Sequence, residues 1–223
     1  MNILKSLKRQ LCFSPEAETD FISKSFEAIA EVLFKHVAIK KGEEIFLFAD
    51  VEFYFYNKHH KDIITHPRNC ESMQWYVNDF GGIDLSFKSE TKVERIVNEK
   101  MKLAAKPLLT DESYFGGILI RELHNAETSE RLEGPWACAE LFRIHDALGI
   151  SNDYPVLIEY ESAREIQDAS PRLNLKRSNQ KTEDKVKYLL SAYANKFTKG
   201  EIENLSEEFD KYHKSTYRYR VKL

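Results

Sequence analysis

The residues best suited to chemistry lie on one short stretch, residues 43–56, which reads E-E-I-F-L-F-A-D-V-E-F-Y-F-Y. It is rich in aromatic and β-branched residues and has no glycine or proline, so it is predicted to form a strand. Alternate side chains of a strand share a face. One predicted face is apolar and suits a core: Ile45, Leu47, Ala49, Val51, Phe53 and Phe55.

The opposite predicted face sets two carboxylates among four aromatic rings: Phe46, Phe48, Asp50, Glu52, Tyr54 and Tyr56. This composition suits an open pocket that holds a flat ring, with an acid within reach for chemistry. The same residues also suit an edge strand that packs its rings under a helix and turns its acids to water. Glu52 is the stronger candidate, because a carboxylate among rings is costly to bury without a purpose.

The segment after this strand offers a second cluster of reactive side chains: His59, His60, His66 and Cys70. Imidazole and thiolate groups suit zinc, but this spacing matches no established zinc motif. A solvent-exposed histidine pair beside two lysines is the commoner arrangement, so no metal site is predicted. The chain also lacks a glycine-rich phosphate loop, a G-x-S-x-G motif and an H-E-x-x-H motif.

Size and composition indicate a globular protein. The chain has 223 residues, 42% of them hydrophobic and 31% charged, and no apolar run approaches the roughly 20 residues of a membrane span. Residues 1–13 are predicted to form a short amphipathic helix rather than a signal peptide. The three cysteines form no paired motif, which favours reduced thiols in a cytoplasmic protein.

Charge is unevenly distributed along the chain. The net charge is -3, yet residues 171–223 carry +6 and the remainder -9. A basic end on an acidic body can dock a polyanion. It can equally be a solvated tail.

Apolar spacing and turn residues predict the other elements. A helix is expected to begin at Ser14 as N-cap and to run to residue 34. Further strands are predicted at 74–78, 83–87, 116–123, 155–160 and 217–221, and helices at 136–148 and 182–196. Residues 88–106 suggest a surface helix or a mobile excursion. The mixture predicts an α+β fold with a mainly antiparallel sheet. A single domain is expected, with N-terminal helices (1–40), a β-rich core (43–175) and a basic C-terminal helix and strand (176–223).

Several short motifs follow one another in the order found in the alkyladenine, or 3-methyladenine, DNA glycosylases. V-E-F-Y at 51–54 resembles the catalytic strand, and W-Y-V-N-D-F-G-G at 75–82 resembles the hairpin that carries the DNA-wedging ring. G-I-L-I-R at 117–121 resembles a buried strand that ends in arginine. Gly-Pro at 134–135 resembles the loop before a DNA-facing helix, and S-P-R at 170–172 with Y-R-Y at 217–219 resemble two C-terminal strand motifs. The resemblance covers most of the chain.

The resemblance implies a curved sheet flanked by helices and an enzyme without a cofactor that flips an alkylated purine nucleotide out of the duplex and hydrolyses its glycosidic bond. Glu52 would activate the attacking water. The implied base-binding residues are Tyr54, His66, Tyr76 and Arg121, since aromatic faces attract a cationic base. Phe80 would fill the gap in the duplex. The implied phosphate contacts are Arg172, Lys176 and Arg177.

The chain also departs from the family pattern. Phe53 is bulky where the family has a small residue, and Trp136 follows Gly-Pro where a lysine is common. Two alternatives therefore remain: a non-catalytic nucleic-acid-binding relative and a small-molecule-binding domain. The expected partner is double-stranded DNA with damaged bases, without a membrane, and the expected state is a monomer. Glu52→Gln is expected to abolish base release and to leave thermal stability about unchanged.

Overall fold

The computed structural model describes residues 2–78, 81–97, 103–128, 130–143, 153–173 and 211–222. The fold is α+β: an antiparallel sheet curls into a half-barrel and is flanked by a few helices. The predicted α+β class and antiparallel sheet are confirmed. The predicted helix at 182–196 and the candidate residues Phe80, Lys176 and Arg177 lie outside the described residues.

Three helices and ten strands are described in these parts of the chain. The helices are α1 (Ile3–Gln10), α2 (Thr19–His36) and α3 (Pro135–Glu140). The strands are β1 (Val37–Lys41), β2 (Glu44–Tyr56), β3 (Trp75–Val77), β4 (Ile83–Ser86), β5 (Lys92–Val97), β6 (Leu103–Leu108), β7 (Phe115–Asn125), β8 (Arg131–Glu133), β9 (Val156–Glu159) and β10 (Arg218–Arg220).

Strand β2 lies at the centre of an eight-stranded sheet. The main path runs β3-β4-β7-β2-β1-β9, while β10 pairs with β2 and β8 pairs with β7. Strands β5 and β6 form a separate hairpin. The central strand is thus the long aromatic stretch that the sequence singles out, and its length lets it pair with three other strands.

Helix α2 covers one face of this sheet. Its buried residues recur at helical spacing, among them Ile22, Phe26 and Ile29. The ring of Phe26 lies 4.7 Å from that of Phe53 on β2, centroid to centroid. Among the described residues, no helix is long and apolar enough to cross a membrane. The core between α2 and the sheet leaves the other sheet face to carry polar groups.

A β-bulge changes which side chains of β2 face the core. The pairing of β2 with β7 shifts register twice within residues 48–51. Beyond the bulge the predicted alternation is correct, because Val51 and Phe53 lie in the core. Before the bulge it is reversed: Phe46 and Phe48 are core residues. The prediction that these two rings share a face with Glu52 is therefore wrong, because an extra residue inverts the alternation.

The start of α2 also differs from the prediction. The helix begins at Thr19, not after an N-cap at Ser14. The backbone oxygen of Ser14 instead accepts a hydrogen bond from the N–H of Ala17 at 3.0 Å, and its hydroxyl accepts one from the N–H of Glu16 at 3.1 Å. Here Ser14 and Pro15 form a turn that precedes the helix. Serine and proline are common in turns as well as at helix starts, so the sequence alone does not distinguish the two.

Strands replace one other prediction, and two further strands were not predicted. Residues 88–106 contain β5 and the start of β6 rather than a helix, so their β-branched content outweighs weak helical spacing. Strand β1 follows α2 directly and was not predicted; neither was β8. The turn between β1 and β2 contains Gly42 with a φ of 59°, a conformation that glycine adopts without strain.

Candidate functional site

A row of side chains crosses the sheet on the face opposite α2. Glu52 of β2 lies opposite Leu119 of β7 and opposite Arg218 of β10. Leu119 also lies opposite Asp84 of β4, which in turn lies opposite Tyr76 of β3. Residues opposite one another in antiparallel strands share a face. The candidate catalytic acid and one candidate base-binding ring therefore lie on the same surface, three strands apart.

Glu52 is bound by two of the other candidate residues. Its Oε2 accepts hydrogen bonds from the Tyr54 hydroxyl at 2.7 Å and from Arg121 Nη1 at 3.2 Å. Its Oε1 accepts one from the backbone N–H of Leu173 at 2.6 Å. A carboxylate out of water is stable only with such donors, and a charged partner strengthens them. Sequence and structure thus bring Glu52, Tyr54 and Arg121 together.

The sequence suggests a carboxylate open to a ring-lined pocket, and the structure corrects this. The Glu52 side chain is 0% exposed, whereas that of Arg121 is 11% exposed and Tyr54 is partly exposed. Its two partners therefore border the surface and Glu52 lies beneath them. An ionised carboxylate offers about four acceptor positions, and the described donors occupy three. Oε1 retains capacity for one more donor, such as a water molecule.

Tyr54 is held in its protonated form. Burial and the adjacent Glu52 carboxylate raise the pKa of its hydroxyl well above the usual value. The guanidinium of Arg172 lies 4.5 Å from the centre of its ring. The protonated hydroxyl donates to Glu52, and the ring cannot move without disturbing both Glu52 and Arg172.

Arg172 does not serve the predicted function. Its side chain is 0% exposed and forms two hydrogen bonds with Asp62, at 2.6 and 3.2 Å. It also donates to the backbone oxygens of Phe53 and Tyr212. Burial opposes its charge, yet the Asp62 carboxylate keeps its pKa above the usual value. The prediction that Arg172 holds backbone phosphates is wrong, because a buried side chain with these partners cannot reach DNA.

Arg68 is a site residue that sequence reasoning missed. Its guanidinium lies 4.0 Å from the centre of the Tyr76 ring and forms an ion pair with Asp84 at 2.7 Å. Its Nε donates to the backbone oxygen of His66 at 3.3 Å. Arg68 therefore joins His66 and Tyr76, two candidate base-binding residues, to the row that contains Glu52. Its position two residues after His66 was the one signal in the sequence.

Gly117 explains how Arg68 reaches this position. A Cβ atom at Gly117 would lie 2.7 Å from Arg68 Nη1 and 3.1 Å from Asp84 Cβ. Any larger residue would push the guanidinium away from the sheet. The glycine in the G-I-L-I-R motif thus clears a place for a loop arginine on the surface of the sheet.

The histidines of the loop do not converge. His60 is fully buried among the rings of Phe26, Tyr212 and Tyr217. Burial, and the nearby charges of Arg172 and Lys211, lower the pKa of His60 to about 3. His59 instead lies beside Glu16 at the surface. Within the described ranges, no group of three His, Cys, Asp or Glu side chains is placed to hold a metal ion.

The β3–β4 hairpin packs closely against the start of α3. A Cβ atom at Gly81 would lie 2.9 Å from the indole of Trp136, and one at Gly82 would lie 2.8 Å from Leu119 Cδ1. Asn78 donates to Asp84 at 3.0 Å and accepts from the backbone N–H of Gly82 at 3.1 Å. Two adjacent glycines thus allow the hairpin to contact both the helix and the Glu52 row.

No protein-family model, no curated protein and no solved structure matches this chain. The candidate site is therefore defined by its geometry. Glu52 is hydrogen-bonded to Tyr54 and Arg121. Tyr76 and Arg68 lie on the same face of the sheet.

Proposed function

We propose that this protein is a monofunctional DNA glycosylase that releases an alkylated purine from a flipped-out nucleotide. The observation that supports this best is the direct bonding of Glu52 to Tyr54 and Arg121. The glycosylase resemblance implies these three residues for one site, and Arg121 reaches Glu52 from a different strand, 69 residues away in the sequence. The fold class that the resemblance implies also agrees with the curled antiparallel sheet.

In the proposed reaction Glu52 acts as general base. A water molecule at Oε1 transfers a proton to the carboxylate while its oxygen attacks C1′ of the sugar. The glycosidic bond breaks, and its electron pair leaves with the base, so a cationic alkylated purine departs as a neutral molecule. The charge of Glu52 also stabilises the positive charge that develops on the sugar. Arg121 keeps the carboxylate oriented.

Water reaches Glu52 in this scheme by a small rearrangement. The N–H of Leu173 donates to Oε1. Water either takes the remaining acceptor position beside this donor or replaces the donor when DNA binds. Tyr54 and Arg121, which border the surface, keep their hydrogen bonds to Oε2 in this scheme.

The base would be held on the same sheet face. In the proposed complex the extruded base would stack beside Tyr76, whose ring centre lies 4.0 Å from the Arg68 guanidinium. His66 lies next to this ring through its bond with Arg68. A cationic base gains from a π-face, by about 0.5–2 kcal/mol in known cases. Stacking would thus favour an alkylated purine over a normal one.

Glu52→Gln is the first test. It keeps the shape of the side chain but removes the charge and the basicity, so release of free base from methylated duplex DNA is expected to fall by at least about a hundredfold. Stability is also expected to fall, in contrast to the sequence-based expectation, because the variant breaks a buried ion pair with Arg121. Activity must therefore be measured on folded protein, with the folded fraction determined by circular dichroism.

Asp50→Asn provides a matched control. Asp50 lies on the same strand, is 3% exposed and pairs with Arg218, whose side chain is as exposed as that of Arg121. This variant should lose comparable stability and retain base release. Wild-type release by Glu52→Gln would end the proposal. Equal loss of release in both variants, at equal folded fraction, would assign Glu52 a purely structural role.

A non-catalytic nucleic-acid-binding protein is the second candidate, and the complete burial of Glu52 favours it. It would bind DNA in a salt-sensitive manner without releasing a base. A titration of methylated duplex at two salt concentrations, run beside the release assay, separates the two functions. Absence of DNA binding even at low salt would favour a small-molecule ligand instead.

A further inference from the structure

Trp136 presents a large aromatic ring to solvent. Its side chain follows Gly134-Pro135 at the start of α3 and is 62% exposed. One edge of the indole lies against Gly81, where a Cβ atom would be only 2.9 Å away. The guanidinium of Arg143 lies 4.7 Å from its ring centre and donates to the backbone oxygen of Gly81 at 3.4 Å. An exposed aromatic ring in this position is a surface on which a nucleobase can stack.

The position of this ring connects it to the candidate site. Pro135, its neighbour in the chain, lies against Gly82, which also lies against Leu119. Leu119 is the cross-strand neighbour of Glu52. Trp136 therefore lies beside the hairpin that contacts the cross-strand neighbour of Glu52.

We propose that Trp136 stacks on an unpaired nucleobase of the DNA that this site binds. The inference rests on the proposed function and adds a contact with the duplex that the predicted site residues do not include. Flipping one nucleotide leaves its partner base unpaired, and every base has a π-face that an indole can cover. The Arg143 guanidinium, which is also paired with Glu140, lies beside the ring and contributes a contact to it without adding net charge.

The chain contains only two tryptophans, so fluorescence can test this contact directly. Trp75 is the matched control, because it is partly buried, donates its indole N–H to the Pro155 backbone oxygen at 2.9 Å and packs on Phe142. Trp75→Phe reports on Trp136 alone, and Trp136→Phe reports on Trp75 alone. The probe is a short duplex with one tetrahydrofuran abasic analogue, which leaves the opposite base unpaired.

Wild type and Trp75→Phe are expected to show quenching when the duplex binds, and Trp136→Phe is expected to show none. Trp136→Ala should bind about tenfold more weakly, the usual effect of losing one stacked base. Circular dichroism of Trp136→Ala checks that the exposed residue leaves the fold intact.

Unchanged affinity in Trp136→Ala, or quenching that persists in Trp136→Phe, would overturn this inference and leave the proposed function standing. Quenching and binding by a wild type that releases no base would keep the inference and remove the catalysis. A wild type that does not bind the duplex would overturn both. Self-association lost in Trp136→Ala would then assign the ring to contact with a second copy of the chain.

Discussion

Asp50 and Glu52 show how two similar acids on one strand acquire different surroundings. Both carboxylate oxygens of Asp50 accept hydrogen bonds from the guanidinium of Arg218, so Asp50 has a single partner in these bonds. Glu52 divides its oxygens between Arg121, Tyr54 and a backbone N–H. A bidentate pair is geometrically closed, whereas a carboxylate with divided partners can exchange one of them. This difference is why the two positions serve as test and control.

Gly117→Ala tests whether the sheet surface holds Arg68 in place. The added methyl group would lie 2.7 Å from Arg68 Nη1, so the ion pair with Asp84 must shift. We expect a loss of about 1–3 kcal/mol in unfolding free energy, the usual cost of overpacking. Urea denaturation measures it.

The same substitution in an Arg68→Ala background supplies the control, because the clash partner is then absent. The cost of Gly117→Ala should be smaller there, with a coupling energy above about 0.5 kcal/mol. Equal costs in both backgrounds would show that the glycine serves the backbone and not the arginine.

At the residue scale, sequence reasoning named three side chains that the strands bring together, but it did not predict where two loop arginines lie. Glu52, Tyr54 and Arg121 lie on strands whose alternation can be predicted from composition. Arg68 reaches the site from a loop, and Arg172 turns inward to Asp62. A one-dimensional pattern does not show whether a loop arginine points to solvent or into the core, because that depends on a distant carboxylate.

At the scale of elements, the pair Asp62–Arg172 ties the loop after β2 to the segment that precedes the C-terminal strand. Both side chains are 0% exposed. Asp62→Asn should therefore destabilise the protein by about 3–5 kcal/mol, because it leaves a buried guanidinium without its counter-charge. The melting temperature measured by calorimetry should fall accordingly.

A surface ion pair gives the contrast for this measurement. Glu31 and Lys35 are one helical turn apart on α2, and both are exposed. Glu31→Gln should change stability by less than about 0.5 kcal/mol. Similar effects of the two substitutions would mean that the buried pair is not an important constraint on the loop.

The elements themselves were partly predictable. Strands β2, β4 and β7 have clear composition and clear boundaries, and the sequence places them well. The bulge within residues 48–51 was not predictable, because it depends on how β7 pairs and not on β2 alone. The helix at 14–18 failed for a different reason: a serine and a proline favour a turn as well as a helix start.

At the scale of the whole molecule, stability should depend on pH through His60. Its pKa is about 3 in the folded chain and about 6.5 in an unfolded one. Below pH 6.5 the unfolded chain binds a proton that the folded chain excludes, so acid favours unfolding. The slope from this residue approaches about 1.4 kcal/mol per pH unit between these values and vanishes above pH 6.5.

His60→Phe tests this dependence, since a phenyl ring fits among the surrounding aromatic rings. The variant should lose less stability between pH 7 and pH 5 than wild type does in urea titrations at each pH. An unchanged pH slope would mean that other groups account for the acid sensitivity.

The basic residues of the C-terminal segment are partly used in ion pairs within the fold. Arg172 and Arg218 lie in buried or nearly buried ion pairs, and Lys222 pairs with Glu165. These three charges of the basic segment are already neutralised within the fold. The count of +6 therefore overstates the positive charge that is available to DNA from this segment.

Two consecutive residues bind two different acids. Arg172 pairs with Asp62, and the backbone N–H of Leu173 donates to Glu52. Strand β10, which follows later still, completes the pairing of β2. Strand β2, which carries the acid, therefore lacks one of its three partner strands until β10 has been synthesised. Nascent chains of this protein should need protection from aggregation up to that moment, and a fragment that ends before residue 172 lacks both the partner of Asp62 and the backbone donor to Glu52.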